Sequence, residues 1–450
     1  MASSRNSRSS SLADGVAAVL QPVVHPGAHL VVGLSGGVDS VTLLALLADL
    51  APVMRFSLRA LHIHHGISPN ASSWAQFCQD LCRRLNLPLK VERVRVDDFH
   101  SLGVEGAARH ARYAVYAREQ ADFIVLAHHR DDQAETLLLQ LLRGAGPLGM
   151  AGMPQLRPLA GSRARILRPL LGFARADIWA WALERGLEWI DDESNEDTAR
   201  QRNFVRHRVL PLIEERFPAA RATVARAAAH VAEAGALLAE LARLDLATLD
   251  AVQGVAVAEL RRLGAARAKN ALRSLLQSRA MPVPTAAQLD ELFRQLIDAR
   301  EDRAVLLQIH GWEIRRYRGR VCIERVRAPV GANFREVWNG EPRLPLLRLG
   351  GVMTFKPEEG RGLSVERIRA AKVTVRVRNG GERLQPDARR PRRTLKNLMQ
   401  ERGIPPWRRA RWPVLYCGEA LVCVPAIGED CAWRAGAGEP GVIVSWEPLE

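Results

Sequence analysis

The first third of the chain alternates between short β-rich runs and amphipathic helical stretches, and no other feature restricts its fold as strongly. The predicted strands cover residues 29–34, 58–62, 89–96 and 123–127, and the helices after them cover residues 40–50, 72–85, 106–120 and 131–143. Strands joined by helices of this length form right-handed crossovers and a mostly parallel sheet. We therefore predict a doubly wound α/β fold whose ligands bind beyond the carboxyl ends of the strands.

Changes of composition predict further segments. Residues 1–25 open with a Ser/Arg-rich stretch and are expected to form a disordered basic tail, whereas residues 26–217 hold the α/β domain. Helical periodicity in residues 218–328 predicts a mostly helical middle domain that contacts the substrate. Residues 345–450 are β-rich and basic, and form a predicted C-terminal domain. The Gly/Pro/Arg-rich residues 144–165 are expected to form a long loop.

Charge and cysteine usage narrow the function class. The formal net charge is +15 and the pI is near 10.4, which favours a polyanionic partner, although an arginine-rich genome would give the same balance. No apolar run of about 18 residues occurs, so nucleic acid is the better prediction than a membrane. The cysteines form no CxxC pair, and Cys78 and Cys82 are predicted to lie on the apolar face of a helix. These features predict a cytoplasmic protein, and nothing implies a stable protein partner.

The sharpest motif lies between the first strand and the first helix. It consists of Ser35, Gly36, Gly37, Val38, Asp39 and Ser40. Two glycines let the backbone approach an anion closely, and the amides at a helix N-terminus bind phosphate. Asp39 would repel a bare phosphate but suits a Mg²⁺ ion that bridges phosphates. The lysine of a Walker A loop is missing, so this is a different kind of phosphate loop.

The motif resembles the SGGxDS loop of the PP-loop ATPases, also called N-type ATP pyrophosphatases, which have an adenine nucleotide alpha hydrolase-like fold. That resemblance implies cleavage of ATP between the α- and β-phosphates and transfer of AMP to a carbonyl-type oxygen. It leaves the acceptor open, because NAD, GMP, asparagine and argininosuccinate synthetases and tRNA-thiolating enzymes share the loop.

Further stretches resemble the tRNA(Ile)-lysidine synthase family. The most specific is LAHHRDDQAET at residues 126–136, and the others are the His-rich turn 61–66, the helix 105–113, the DxSN segment 191–211 and residues 395–407. The chain departs from the family in the His-rich turn, where His64 and Ser68 replace an Asn and an Arg. This departure weakens any role of those two side chains in nucleotide binding.

The resemblance implies a reaction and its substrates. The family uses ATP and Mg²⁺ to adenylate the C2 oxygen of the wobble cytidine of tRNA(Ile) with a CAU anticodon. Free L-lysine then displaces AMP, giving lysidine. The resemblance assigns lysine to Asp132 and Glu135, and their i,i+3 spacing puts both acids on one helix face. Acids in this position also complement the helix dipole, which is an alternative reason for their presence.

The remaining catalytic candidates are a histidine and an arginine. His128 could donate to the α-phosphate or hold the adenylated oxygen, and Arg109 has the planar fork that matches carboxylates and phosphates. The expected catalytic set is therefore Asp39, His128, Asp132 and Arg109. Arg202 and Arg206 are weaker candidates for closing over the reaction centre.

The C-terminal domain contains a segment in which basic residues strongly outnumber acidic ones. Residues 376–411 include twelve basic residues and three acids. Such a run favours contacts with RNA phosphates, although a solvated charged face would have the same composition. The predicted tRNA-binding residues are Arg389, Arg390, Arg392, Arg393 and Lys396.

Three other functions remain open from sequence. They are a tRNA thiolase of the same fold, a small-molecule synthetase that does not bind RNA, and a non-catalytic RNA-binding protein with a relict nucleotide fold. The unsuitable cysteine positions, the basic C-terminal domain and the intact phosphate loop respectively argue against them.

Overall fold

The computed structural model describes residues 3–95, 99–248, 254–279, 281–282, 284–298 and 305–449. Within these ranges, positions 3–11, 99–102, 104–105 and 194 are described by their backbone alone. The predictions for residues 1, 2, 96–98, 249–253, 280, 283, 299–304 and 450 therefore lie outside the described residues. The chain divides into two compact units, residues 1–241 and 242–450. The domain boundaries predicted from sequence stay predictions.

The N-terminal unit is built on one mostly parallel sheet. Its strands are β1 (His29–Gly33), β2 (Ser57–His64), β3 (Leu89–Arg93), β4 (Phe123–Val125), β5 (Leu156–Pro158) and β6 (Arg165–Leu167). Its helices are α1 (Ser3–Leu20), α2 (Val38–Met54), α3 (Ala71–Arg84), α4 (Phe99–Arg118), α5 (Arg130–Leu142), α6 (Pro147–Met150), α7 (Arg175–Glu184), α8 (Gln201–Phe204) and α9 (Leu210–Arg216), and α10 (Ala220–Thr248) starts in this unit.

The order of the strands confirms the predicted α/β class and places the site. The sheet runs β3-β2-β1-β4-β6-β5, and only the edge strand β5 is antiparallel to its neighbour. The order reverses between β1 and β4, and crevices at such switch points bind ligands. The loops that follow these two strands carry the phosphate motif and the acid-rich helix.

Alternate side chains of β1 enter different cores. Leu30 and Val32 pack among the side chains of one core, which includes helix α2, whereas Val31 belongs to a second core that includes Tyr116 of α4. This pattern follows from the period of two along a strand and explains why residues 30–32 of β1 are all apolar. Cys78 is fully buried in the first core, which confirms its predicted packing role.

The predicted disorder of residues 1–25 is wrong for the part whose side chains are described. Leu12, Val16 and Leu20 of α1 are at most 2% exposed and lie in the main core of the N-terminal unit. Their spacing of four residues forms one helical stripe. The polar composition of the first residues obscured this stripe in the sequence.

Residues 144–165 are also more ordered than predicted. The segment contains α6 and the edge strand β5, and β6 begins at Arg165. The side-chain amide of Gln133 fixes this segment at Met153. Its oxygen accepts from the backbone amide of Met153 at 2.7 Å, and its nitrogen donates to the carbonyl of Met153 at 2.8 Å.

The second unit contains a helix-and-sheet part followed by a β-rich part. The first has α11 (Val257–Leu263), α12 (Ala265–Ser278) and α13 (Ala286–Asp298) packed with the antiparallel strands β7 (Val255–Ala256), β8 (Val305–Ile309), β9 (Trp312–Tyr317) and β10 (Arg320–Arg325).

The β-rich part confirms the predicted C-terminal fold class. Its strands are β11 (Arg335–Val337), β12 (Arg343–Leu346), β13 (Gly351–Glu359), β14 (Leu363–Ser364), β15 (Val373–Arg376), β16 (Arg383–Leu384), β17 (Arg393–Thr394), β18 (Val414–Cys417), β19 (Ala420–Val424), β20 (Gly428–Glu429) and β21 (Pro440–Pro448). Its helices are α14 (Val365–Ile368), α15 (Leu395–Glu401) and α16 (Pro406–Arg409). No helix among the described residues has the length and apolarity needed to cross a membrane.

Truncating a buried residue of α1 tests its place in the core. Leu20→Ala should lower the free energy of unfolding by about 2–5 kcal/mol, as leucine truncations in cores do. Urea unfolding should be followed by tryptophan fluorescence, to which Trp181 of the same core contributes. Asp14→Ala, at an exposed position of the same helix, is the control and should change stability by less than about 0.5 kcal/mol. Equal unfolding midpoints for the two variants would contradict the packing of α1.

Candidate active site

The loop between β1 and α2 turns sharply at Gly36. Its φ of 93° lies in the left-handed region, and a Cβ there would stand 2.5 Å from Cδ1 of Ile190. The positive φ favours glycine strongly, and a Cβ would in addition force the end of the Ile190 side chain to move. The hydroxyl of Ser40 donates to the carbonyl of Gly37 at 2.9 Å and accepts from the amide of Ser35 at 3.2 Å, so the loop is tied to the first turn of α2.

The N-terminus of α2 suits an anionic ligand. Gly37 is the N-cap residue, and no side chain caps the helix. The first amides of a helix have no partner within it, and the helix dipole adds partial positive charge at this end. The predicted loop, residues 35–40, therefore presents amides where a phosphate can accept hydrogen bonds.

Asp39 has the surroundings of a cation ligand. Its Oδ1 atom is buried and accepts no hydrogen bond among the described residues, and Nε of Arg175 is 4.0 Å away. Mg²⁺ is usually held by one or two carboxylates together with phosphates and water. No cluster of three or more His, Cys, Asp or Glu side chains suited to a metal occurs in the described part of the chain. Asp39 therefore fits a Mg²⁺ ion whose other ligands come from a nucleotide and water.

His129 connects Asp39 to helix α5. It caps the helix, because its Nδ1 accepts from the amide of Asp132 at 3.4 Å while its own amide donates to Oδ2 of Asp132 at 2.9 Å. With Nδ1 accepting, the ring proton is on Nε2, which is 3.6 Å from Oδ2 of Asp39. Burial lowers the pKa of His129, but the charges of Asp132 and Asp39 outweigh it and raise that pKa above its ordinary value.

The two acids predicted to bind lysine are paired with arginines. Nε of Arg202 is 2.7 Å from Oε2 of Glu135, and its Nη2 is 2.8 Å from Oδ1 of Asp132. Arg206 repeats the arrangement at 2.6 Å to Oε1 of Glu135 and 3.2 Å to Oδ1 of Asp132. Glu135 is fully buried, so these four side chains form an interior ion-pair network. Burial raises the pKa of Asp132, but the charges of His129 and Arg202 outweigh it and lower that pKa to about 2.

His128 has a different environment from its neighbour. Nε of Arg168 donates to Nδ1 of His128 at 3.3 Å, and Nη1 of Arg168 donates to the carbonyl of Pro154 at 2.7 Å. Arg168 is only 1% exposed. Burial, helped by the charge of Arg168, outweighs Asp132 and lowers the pKa of His128 to about 3. His128 is therefore a neutral imidazole with its proton on Nε2, able to donate a hydrogen bond.

Arg109 lies apart from the acid network. Its guanidinium is exposed and lies 5.4 Å from the ring centroid of Tyr113, and that of Arg157 lies 5.2 Å from the same ring. Among the described residues, no hydrogen bond or ion pair joins Arg109 to Asp39. The structure thus brings Asp39 and Asp132 together around His129, whereas Arg109 lies nearer to His128, whose pKa its charge helps to lower.

Comparison with known proteins identifies the family. Residues 9–213 match a PP-loop domain, residues 256–322 the TilS substrate binding domain, and residues 373–446 the TilS substrate C-terminal domain. The tRNA(Ile)-lysidine synthase of Nitrosomonas europaea is 42% identical over 438 residues, which cover 96% of this chain and 94% of that protein. The enzyme of Aromatoleum aromaticum is 42% identical over a match that covers 94% of this chain and 98% of that protein. The enzyme of Coxiella burnetii is 35% identical over a match that covers 91% of this chain and 93% of that protein.

The chain belongs to the tRNA(Ile)-lysidine synthase family. It is therefore an enzyme of the ligase class with an ATP-binding PP-loop domain, as the motifs predicted. The matched PP-loop region begins at residue 9, inside α1, which agrees with the packing of that helix in the catalytic unit.

The sequence analysis gave no role to three side chains of this candidate site, which are His129, Arg168 and Arg175. The sequence does contain a signal for the capping role of His129, because this residue directly precedes a helix with acids in its first turn, where a capping residue is expected. The sequence contains no such signal for Arg168 or Arg175, since each is one arginine among many in a basic chain.

The predicted tRNA-binding residues differ in their surroundings. Arg392 pairs at 3.0 Å with Asp430, which is 1% exposed, and Arg390 lies 3.6 Å from Asp387. Arg393 forms an ion pair with Glu401, whereas no ion pair is found for Arg389 among the described residues. The last member, Lys396, lines a cavity of about 310 Å³ together with Arg378 and Arg409. In this lysidine synthase homologue, Arg392 thus has a structural role as well as its charge.

The protonation of His128 can be measured by ¹⁵N NMR. His128 should remain neutral, with its proton on Nε2, down to pH 4, because its pKa is lowered to about 3. An unfolded histidine titrates near 6.5, so this site should cost stability increasingly as the pH falls below about 6.5. Arg168→Met should raise the pKa of His128 and allow both tautomers. A parent His128 that titrates near pH 6.5 would contradict this description.

Proposed function

We propose that this protein ligates free L-lysine to C2 of the wobble cytidine of a tRNA(Ile) with a CAU anticodon. ATP adenylates the C2 oxygen and releases pyrophosphate, and the ε-amine of lysine then displaces AMP, which carries that oxygen away. The observation that carries the proposal is the near full-length similarity to tRNA(Ile)-lysidine synthases at up to 42% identity, on a chain that keeps the phosphate loop beside an acid-rich helix. The substrates place the reaction in the cytoplasm of a bacterium.

The phosphate loop holds the nucleotide in this proposal. The uncapped amides of α2 bind the phosphates that leave as pyrophosphate, and the hydroxyls of Ser35 and Ser40 keep the loop in shape. Asp39 would hold Mg²⁺, and His129 would orient its carboxylate through the Nε2 proton. When bound, Mg²⁺ neutralises charge on the phosphates.

His128 acts as a hydrogen-bond donor in this proposal. A neutral imidazole keeps its proton throughout the reaction, so its Nε2–H can stabilise an oxygen that gains negative charge without protonating it. An oxygen of the α-phosphate or the adenylated C2 oxygen are its candidate acceptors. Arg109 adds positive charge nearby, since its guanidinium contributes to the low pKa of His128.

Asp132 and Glu135 receive lysine in this proposal by exchanging partners. Arg202 and Arg206 occupy the carboxylate oxygens that an ammonium group would need. The lysine ammonium takes over one of these pairs, and the displaced guanidinium is then available to a phosphate or to the lysine carboxylate. The two arginines therefore keep a buried pair of negative charges neutral before lysine arrives.

The cysteines disfavour a thiolase. Burial, together with the charge of Cys82, raises the pKa of Cys78 to about 12, and burial raises that of Cys82 to about 11. A nucleophilic thiol needs a lowered pKa, so neither residue suits sulfur transfer. Both lie in the core instead.

Substitution of Asp39 tests the reaction. The parent protein, with ATP, Mg²⁺, labelled lysine and unmodified tRNA(Ile), should place label in the RNA and release AMP and pyrophosphate. Asp39→Asn should abolish both signals while tRNA binding persists, because the metal ligand is removed. Asp49→Asn is the matched control, since Asp49 lies on the same helix and its side chain is 54% exposed. AMP release without lysine transfer by the parent would favour another PP-loop reaction.

Salt dependence tests the RNA-binding residues. The variant with Arg389→Ala and Lys396→Ala should bind tRNA more weakly. The slope of the logarithm of the binding constant against the logarithm of the salt concentration should become shallower by about one for each phosphate that the variant no longer neutralises. Arg343→Ala, which removes an exposed charge outside the basic segment, should leave the slope unchanged. Arg392→Ala is left out of the test variant because it would remove the ion-pair partner of the buried Asp430. An unchanged slope in the double variant would remove Arg389 and Lys396 from the RNA surface.

A further inference from the structure

Trp179 is an exposed aromatic residue of helix α7 that does not contribute to the buried face of this helix. Helix α7 buries Ile178, Trp181 and Ala182 in the core, and each is at most 2% exposed. Trp179 is 51% exposed, although its ring centroid lies 6.2 Å from that of Trp189. Tryptophan has a large apolar surface and is highly buried on average. Trp179 therefore presents a flat apolar face that core packing does not explain.

This face borders a cavity beside the phosphate loop. The cavity has a volume of about 470 Å³ and lies within the N-terminal unit, where Trp179 and Trp189 form part of its wall. Val38, the first residue of α2, also lines it, as do Glu135 and Arg206 of the ion-pair network. The cavity therefore opens at the helix end where the nucleotide phosphates bind, and its size admits a pyrimidine ring with space remaining.

The charges around the cavity suit a nucleotide of an RNA chain. Arg175 precedes Trp179 by one helical turn on α7, lines the same cavity and places its Nε 4.0 Å from Oδ1 of Asp39. Arg221 and His207 contribute further donors to the wall. The wall also contains Asp131, Glu135 and Asp191, and of these Asp131 pairs with Arg221 and Glu135 with Arg206. Aromatic rings that stack unpaired bases, together with cations for the backbone, are the usual means of binding single-stranded RNA.

We propose that Trp179 is the stacking platform for the cytosine base that is modified, and that this cavity is its binding pocket. The proposal rests on the proposed function for the identity of the base. A base stacked on Trp179 lies in a cavity that is also lined by Val38 of α2 and by Glu135 of the ion-pair network. Its C2 oxygen is then presented between the phosphate loop and the proposed lysine site. Adenine of ATP is the competing occupant, and the experiments below separate the two.

A fluorescent cytosine analogue reports the stacking directly. An anticodon stem-loop RNA with a CAU anticodon should carry pyrrolocytosine at the first anticodon position. Binding to the parent protein should quench its emission, and Trp179→Ala should abolish the quenching even at saturating protein, whereas Trp179→Phe should retain most of it. This signal needs no catalysis, so it stands even if lysine transfer fails. Equal quenching by the parent and by Trp179→Ala, or none by the parent, would overturn the proposal.

Kinetic constants separate the base from the nucleotide. Trp179→Ala should lower kcat/KM for the RNA by roughly tenfold to hundredfold, in line with the stacking of one base, while the KM values for ATP and lysine stay unchanged. Trp179→Phe should recover most of the activity. Leu183→Ala is the matched control, because Leu183 lies one turn further along α7, is 57% exposed and does not line the cavity. A rise confined to the KM for ATP would assign the platform to adenine instead and contradict the proposal.

Discussion

The buried ion-pair network of Asp132, Glu135, Arg202 and Arg206 determines the shape of the site. Removing one partner of such a network leaves an uncompensated charge in the interior, which typically costs about 3–5 kcal/mol. The helical segment with the two arginines must therefore remain against α5. That packing fixes the wall of the cavity and, through the cap formed by His129 and Asp132, the position of Asp39.

Two adjacent histidines show how strongly local environment controls chemistry. His129 faces the carboxylates of Asp39 and Asp132, which raise its pKa, whereas the buried guanidinium of Arg168 helps to lower that of His128. One ring therefore faces the carboxylate of Asp39, and the other is a neutral hydrogen-bond donor. Since the residues are identical in the sequence, only their partners on other elements distinguish their roles.

Local patterns in the sequence predicted the sheet, the phosphate loop and the shared helix face of Asp132 and Glu135, because these depend on residues close together in the chain. The partners of those acids could not be predicted, since Arg202 lies 67 positions beyond Glu135 and many arginines could pair equally well. The helix of residues 3–20 was missed because its polar start concealed an apolar stripe spaced by four. Arg168 was missed because burial of a single arginine depends on tertiary packing alone.

The oxygen of the modified base tests the central claim that this site adenylates an RNA base and then substitutes lysine. A tRNA(Ile) carrying ¹⁸O at C2 of the wobble cytidine should be incubated with the protein, ATP and lysine, and the AMP examined by mass spectrometry. The account predicts one ¹⁸O atom in each AMP formed with lysidine. Unlabelled AMP accompanying lysine incorporation would contradict it, because the base oxygen would then have left by a route that does not pass through an adenylated cytidine.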